Sequence, residues 1–248
     1  DLVMLVEGEE ERGSVGFQQA LAKAKADVGE IDVVLLSNSY WLGEDTPCLT
    51  VGLRGVGQAT VKITGRIPDV HSGVEGGAVR EPMIDMIKLL GNASANDRVL
   101  IPQFYDSVRQ VTPAERAEYE SIVKVKQSRA RNAADLIARW RLPTFSIHRI
   151  SVSGPGNNTV IPSTVEAAVS IRIVPDQSLQ QISSSLVNHI ISSFKQLGSP
   201  NELSVSIDHS ADWWSGKQDS PFAQALSQAI EAEWGRAPVH IREGGSIP

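Results

Sequence analysis

The order of apolar patterns between residues 52 and 209 constrains the fold of this chain more than any other feature. Alternating side chains that are typical of half-buried strands are interspersed there with apolar stripes at helical spacing. The predicted elements are a strand at residues 56–63, a helix at about 82–90, strands at 146–152 and about 166–174, a helix at 179–198 and a strand at 203–207. This strand, helix, strand, strand, helix, strand order is that of the split βαβ, or ferredoxin-like, arrangement. The less regular residues 91–146, with a polar helical stretch at about 113–140, are predicted to be an insertion.

The residues before this unit predict a different domain with a parallel sheet. Two apolar runs, at residues 2–6 and 31–36, are typical of buried strands, and a helical pattern covers residues 15–25 between them. Each run leads into a polar loop, as expected at the ligand-binding edge of an α/β sheet.

The same kind of pattern resumes after the split βαβ unit. A helix capped by Ser220 is followed by a short strand at residues 238–241. We therefore predict an α/β domain in two parts, residues 1–51 and 210–248, interrupted by an inserted domain at residues 52–209. Because the first residues already form a predicted core strand and no ending is visible at Pro248, we expect an internal part of a longer protein.

Composition excludes several classes of function. The net charge of −6 gives no electrostatic case for nucleic acid binding. No apolar run approaches the roughly 20 residues that a membrane-spanning helix needs. Cys48 is the single cysteine, so an internal disulfide is impossible, which suits a reducing compartment such as the cytoplasm.

An acidic stretch, residues 7–14 (EGEEERGS), follows the first predicted strand. Its four glutamates repel one another, and a protein core does not accept such charges unpaired. At the ligand-binding edge of a sheet, Glu10 and Glu11 could divide the work, one binding a metal ion and the other transferring a proton. On the residues alone, a solvated acidic loop explains the stretch equally well.

Five stretches in this order resemble one family. They are EGEEERGS at 7–14, YWLGEDTPCLTVGLRG at 40–55, DVHSGVEGG at 69–77, NTVIP through SIRIVPD at 158–176 and EGGSIP at 243–248. Together they are similar to the carnosinase and aminoacylase group of dinuclear zinc peptidases. EGEEE with SNSYWL is most similar to the metallopeptidase-like subunit of the fungal cytosolic complex that degrades glutathione. The resemblance implies a zinc-binding catalytic domain interrupted by a lid domain that also forms a homodimer.

The resemblance also implies a metal site. Glu10 matches the general base that deprotonates a metal-bound water, and Glu11 matches a zinc ligand. Asn38 occupies the position of a zinc-binding aspartate, and an amide brings no negative charge to a metal. The family holds two zinc ions per active site, so Asn38 favours weakened or lost binding of one of them over an intact dinuclear site.

The remaining matches concern the substrate. His71 matches a histidine that reaches the partner subunit's active site and stabilises the oxyanion. Arg172 matches an arginine that grips the substrate carboxylate, Asn158 and Thr159 are expected near it as substrate-binding residues, and Ser246 matches a carboxylate-binding loop. The residues alone also allow other interpretations. His71 could be a histidine in a turn, Arg172 could point outward from an exposed sheet face, and Ser246 could belong to a simple glycine turn.

We therefore predict a zinc-dependent peptidase or amidase that hydrolyses dipeptides or γ-glutamyl peptides of the glutathione type. The alternative is a non-catalytic, dimerising scaffold subunit with a glutamine-amidotransferase-like partner, which Asn38 favours. The family's other metal ligands find no match between Asp1 and Pro248, so this stretch by itself is expected to be inactive.

Overall fold

The structure, a computed structural model, describes residues 2–8, 14–37, 41–43, 45–96, 98–125 and 130–246. The helices in these residues are α1 (Phe17–Val28), α2 (Ser72–Glu75), α3 (Pro82–Ala93), α4 (Pro113–Val123), α5 (Ala133–Trp140), α6 (Leu179–Gln196) and α7 (Pro221–Trp234). The strands are β1 (Cys48–Leu53), β2 (Gly55–Thr64), β3 (Val70–His71), β4 (Ser94–Ala95), β5 (Arg98–Val99), β6 (Thr144–Val152), β7 (Val160–Ile161), β8 (Thr164–Ile173), β9 (Glu202–Ala211), β10 (Trp214–Ser215) and β11 (Val239–Glu243). No helix among the described residues is long and apolar enough to cross a membrane.

The predicted split βαβ arrangement is confirmed. Strands β6, β8, β2 and β9 form one antiparallel sheet in that order, and α3 and α6 cover one of its faces. Along β2, Ala59, Val61 and Ile63 point into the core while Lys62 is exposed, which is the period of two expected for a sheet covered on one face. We call this sheet with α3 and α6 the split-βαβ unit.

A second, three-stranded sheet adjoins this unit. Its central strand β1 pairs in parallel with β11 and antiparallel with β10. The polar stretch predicted at residues 113–140 contains α4 and α5, which pack on this sheet through Tyr119, Leu136 and Trp140 against Cys48 and Ile241. The two sheets and their helices make the mixed α/β fold that the sequence predicted.

The buried strands predicted at residues 2–6 and 31–36 are wrong for this structure. Both runs lack strand structure, and Leu2 and Val34 are 91% and 77% exposed. A strand needs a neighbour for its backbone N–H and C=O groups, and neither run has a partner strand among the described residues. Helix α1 between them forms as predicted, but none of its residues is buried.

Candidate active site

The described residues that were predicted to bind substrate fall into two groups. Arg172 and Ser246 lie where the split-βαβ unit meets the three-stranded sheet. His71, Asn158 and Thr159 lie by the opposite end of β8. Glu10, Glu11 and Asn38 lie outside the residues that the structure describes.

Arg172 lies on the face of the sheet that α3 and α6 leave uncovered. Its neighbours in β8, Ile171 and Ile173, point into the core, so strand alternation directs Arg172 outward between Val56 of β2 and Thr144 of β6. Its Nη1 donates a hydrogen bond to Ser246 Oγ at 2.8 Å. The structure therefore brings these two predicted carboxylate-binding residues into direct contact.

Arg54, which is not among the site residues predicted from the sequence, hydrogen-bonds to the loop that carries Ser246. The Ser246 hydroxyl donates to the Arg54 carbonyl oxygen, and the Arg54 amide donates to the Glu243 carbonyl at 3.3 Å. The Arg54 guanidinium donates from Nε to the Gly244 carbonyl at 3.1 Å and from Nη1 to the Leu142 carbonyl at 3.2 Å. We call Arg54, Arg172 and Ser246 the carboxylate cluster, after the substrate carboxylate that Arg172 and Ser246 are predicted to bind.

The carboxylate cluster carries positive charge that the described part of the chain does not neutralise. Neither Arg54 nor Arg172 forms an ion pair with any described residue. Burial, and secondarily the positive charge of Arg172, lowers the pKa of Arg54 to about 10, and burial also lowers the pKa of Arg172. Two half-buried guanidinium groups beside a hydroxyl suit a carboxylate, which accepts charge-assisted hydrogen bonds from such donors.

His71 lies on a small hairpin formed by β3 and β7. Val70 pairs with Ile161, His71 pairs with Val160, and the Ser72 amide donates to the Thr159 carbonyl at 2.8 Å. His71 Nδ1 accepts a hydrogen bond from the Gly73 amide at 3.0 Å, so in the neutral ring the proton sits on Nε2. The side chain is exposed, which leaves it able to offer this Nε2–H group to an oxyanion outside its own chain.

The loop before β7 is shaped by Asn157, the neighbour of the predicted substrate-binding residue Asn158. Asn157 Oδ1 accepts hydrogen bonds from the Thr159 amide at 3.0 Å, the Thr159 hydroxyl at 3.1 Å and the Val160 amide at 3.1 Å. Asn158 itself is exposed. An asparagine two or three residues before a chain reversal is an ordinary turn signal, and that signal was present in the sequence.

Asp69 ties this hairpin to the end of the sheet. Its Oδ1 accepts from the Ser153 hydroxyl and from the Ser163 amide, each at 2.6 Å. The hydrogen bonds from Ser153 and Ser163 lower the pKa of Asp69, so the carboxylate form that accepts them prevails at neutral pH. We call residues 69–71 with 153–161 the histidine hairpin.

The histidine hairpin and the carboxylate cluster lie at opposite ends of β8. Residues 164 to 172 of β8 separate them, and eight residues at about 3.3 Å each amount to roughly 26 Å. Thr159 precedes the start of β8 by five residues, and a fully extended path of five residues that ran back along β8 would cover about 17 Å. The Cα atom of Thr159 therefore lies at least roughly 9 Å from that of Arg172. The ten-residue strand β8 therefore lies between Arg172 and the loop of Asn158 and Thr159, and the substrate-binding role of these two residues stays a prediction.

The described residues do not by themselves form a metal site. Among them, no group of three or more His, Cys, Asp or Glu side chains is close enough to hold a metal ion. The residues that the resemblance assigns to the metal, Glu11 and Asn38, are not among those the structure describes. The donor set therefore rests on the sequence alone.

Comparisons with known proteins bear on both groups. The pattern of the peptidase dimerisation domain of M20 peptidases matches residues 51–197. The chain is 38% identical over 250 residues to the probable di- and tripeptidase DUG2 of Saccharomyces cerevisiae, covering 100% of this chain and 28% of that protein. It is 38% identical over 263 residues to the Cys-Gly metallodipeptidase DUG1 of Candida albicans, covering 100% of this chain and 54% of that protein. The solved structure of the dipeptidase Dug1p from Saccharomyces cerevisiae matches with a TM-score of 0.82 at 34% identity, covering 98% of this chain and 54% of that one. The chain thus spans about half of the length of two of these relatives, and less of DUG2.

Proposed function

The chain belongs to the M20 peptidase family, whose dimerisation domain it carries, and we propose that the full-length protein is a metal-dependent peptidase acting on short peptides with a free C-terminal carboxylate. The observation that carries this proposal is the contact between Arg172 and Ser246 at a place where the described residues leave positive charge unneutralised. A guanidinium and a hydroxyl together can bind and orient a terminal carboxylate. Dipeptides and tripeptides, including cysteinyl-glycine and γ-glutamyl peptides of the glutathione type, are the proposed substrates.

The metal is proposed from the family and from the sequence. Glu11 and Asn38 are the proposed ligands, and zinc is the proposed ion. When bound, such an ion lowers the pKa of water and makes it a nucleophile. Glu10 is the proposed group that takes the proton from that water. Asn38 brings no charge, so it would hold its metal more weakly than an aspartate.

The proposed active site is shared between two copies of the chain. His71 and Arg172 lie at opposite ends of β8, whose residues 164–172 span roughly 26 Å, and the exposed Nε2–H group of His71 is suited to stabilise an oxyanion. A second copy, related by two-fold symmetry, could bring its histidine hairpin to the carboxylate cluster of the first. Dimerisation would then be required for catalysis as well as for assembly.

Mixed dimers test this arrangement in the full-length protein. His71→Ala and Arg172→Gln proteins, each inactive alone, are dissociated, mixed in equal amounts and allowed to exchange. If the site is shared, each mixed dimer has one intact site, so random exchange restores about a quarter of wild-type dipeptidase activity. If His71 and Arg172 serve the same chain's site, activity stays at the level of the single variants.

A wild-type protein that hydrolyses no dipeptide with zinc, cobalt or manganese would contradict the peptidase proposal. The departure at Asn38 then favours the second candidate, a dimerising scaffold subunit with a glutamine-amidotransferase-like partner in the cytoplasm. Co-purification of the tagged full-length protein with such a partner would support that role.

A further inference from the structure

We propose that Arg54 is the positioning residue of the carboxylate cluster, holding Ser246 and the glycine loop before it in the geometry that binds a peptide's terminal carboxylate. This inference rests on the proposed function, because it assigns a new role within the same substrate site. Arg54 is the single residue between β1 and β2, so its backbone joins the three-stranded sheet to the split-βαβ unit.

The main chain of Arg54 fixes both ends of the loop that carries Ser246. Its amide donates to the Glu243 carbonyl at 3.3 Å, where the loop leaves β11, and its carbonyl accepts the Ser246 hydroxyl. Arg172 in turn donates to that hydroxyl at 2.8 Å. The Ser246 oxygen is thus held between the backbone of Arg54 and the guanidinium of Arg172.

The side chain of Arg54 clamps the middle of the same loop. Its Nε donates to the Gly244 carbonyl at 3.1 Å. A Cβ atom at Gly244 would lie 2.9 Å from Arg54 Nη2 and 3.1 Å from the Arg139 carbonyl, so glycine at this position lets the Arg54 guanidinium approach without a shift. The planar guanidinium fork, and not merely a positive charge, therefore matches the loop.

The other end of the clamp is anchored in the segment after α5. Arg54 Nη1 donates to the Leu142 carbonyl at 3.2 Å. The preceding residue, Arg141, is buried and donates to Glu115 Oε1 of α4 at 2.6 Å. This largely buried ion pair resists displacement, because moving one charged side chain leaves the other buried without its partner. Arg54 is thereby braced against a rigid support.

The charge of Arg54 adds to the role of its geometry. Burial and the positive charge of Arg172 lower the pKa of Arg54, burial lowers the pKa of Arg172, and neither side chain forms an ion pair with a described carboxylate. A substrate carboxylate supplies that missing charge. The guanidinium N–H groups of Arg172 that do not bind a described residue can then donate to the carboxylate while Arg54 keeps Ser246 in place.

The test compares Arg54→Lys and Arg54→Gln with wild type in the full-length protein. Lysine keeps the charge but cannot donate to Gly244 and Leu142 together, and glutamine loses the charge. Arg66→Lys is the matched control, because Arg66 also donates Nε to a carbonyl, that of Pro200 at 2.7 Å, but is exposed at the Thr64 end of β2. Each protein is assayed for kcat and KM on a dipeptide and on its C-terminal amide.

We expect both Arg54 variants to raise KM for the free-acid dipeptide by about tenfold or more, because displacing Ser246 and its loop removes a hydrogen bond to the substrate carboxylate, and one charge-assisted hydrogen bond contributes about that much. The KM for the amide should change by less than about twofold, and Arg66→Lys should change neither. Full rescue by lysine would overturn the positioning role, since charge alone would then suffice. Equal losses on the acid and the amide would also overturn it, since they indicate general damage.

Direct binding separates this inference from the proposed function. If the wild-type protein hydrolyses nothing, calorimetric titration with the free-acid dipeptide and its amide still measures the carboxylate preference. A preference that is present in wild type and lost in Arg54→Lys supports the role of Arg54 while the peptidase proposal fails. A preference that survives in Arg54→Lys overturns the inference whether or not the protein is an enzyme.

Discussion

Replacing Asp85 with alanine is expected to destabilise the split-βαβ unit by about 3 kcal/mol. Asp85 lies in the first turn of α3 and is fully buried. Arg80 Nε donates to its Oδ1 at 2.7 Å, while the Ser199 hydroxyl at 2.5 Å and Asn201 Nδ2 at 2.9 Å donate to its Oδ2. This one carboxylate thus joins α3 to the turn before β9 and to Arg80 in the segment between α2 and α3.

The magnitude follows from what the substitution leaves behind. Removing one partner of a buried ion pair costs about 3–5 kcal/mol, because the remaining charge has lost its compensation. The Arg80 side chain is 35% exposed and regains some water, which places the expected loss at the lower end. Asn201 stays buried and loses an acceptor, which keeps the loss from being smaller.

The pH dependence has a definite sign. Burial by itself would raise the pKa of Asp85, but the hydrogen bonds from Arg80, Ser199 and Asn201 outweigh it and lower the pKa below its ordinary value of 3.8. The stability that the charged form contributes is therefore present above that value and is lost as the pH falls through the folded-state pKa. The difference between wild type and Asp85→Ala should shrink in acid.

Amide hydrogen exchange in the full-length protein measures this loss locally, since the amides of β8 and α6 report opening of this unit. A loss of about 3 kcal/mol speeds their exchange by roughly a hundredfold. Asp85→Asn is the matched control, because it keeps the size and an acceptor oxygen and should lose about half as much. A change below about 1 kcal/mol in Asp85→Ala would refute the reasoning.

Three further outcomes are expected. Gly55→Ala should lower the free energy of unfolding by about 1–3 kcal/mol, since its Cβ would lie 2.8 Å from the Trp213 amide nitrogen. The control Gly91→Ala, whose Cβ has nothing within 4 Å, should stabilise α3 by up to about 1 kcal/mol in thermal unfolding. Burial raises the pKa of Glu243, so ionisation of this side chain lowers the stability of the folded state as the pH rises above the ordinary pKa of 4.5. Glu243→Gln should therefore raise the Tm at pH 8 and leave it unchanged at pH 4. Asn38→Asp should raise the zinc content of the full-length protein measured by mass spectrometry, and equal contents would contradict its assignment as a weak ligand.

The split-βαβ unit could be predicted because its signals are local. Alternation along β2 and the apolar stripe of α6 each identify an element without knowledge of its neighbours. Ser178 caps α6 as predicted, accepting from the Gln181 amide at 3.3 Å. The order of these elements then allowed few sheet topologies, and β6-β8-β2-β9 is one of them.

Arg54 and Asp85 could not be predicted in this way, because their importance is not local. Arg54 stands between two strands in a glycine-flanked stretch that reads as an ordinary turn, and its partners are 88 and 190 residues away in the sequence. Asp85 occupies the first turn of α3, where an acidic residue is common on any exposed helix. Its partners Ser199 and Asn201 are 114 and 116 residues away in the sequence.

The separation of Thr159 from Arg172 depends on the secondary structure between them. Only thirteen residues separate Thr159 from Arg172, so sequence proximity favoured one joint site. A ten-residue strand lies within that interval, and a strand carries the chain away from its starting point at about 3.3 Å per residue, whereas a helix of the same length would have kept them within about 15 Å. The secondary structure between two site residues thus decides whether they can act in one chain. Here β8 separates the histidine hairpin from the carboxylate cluster, and this separation supports the proposal that the site is shared between two copies of the chain.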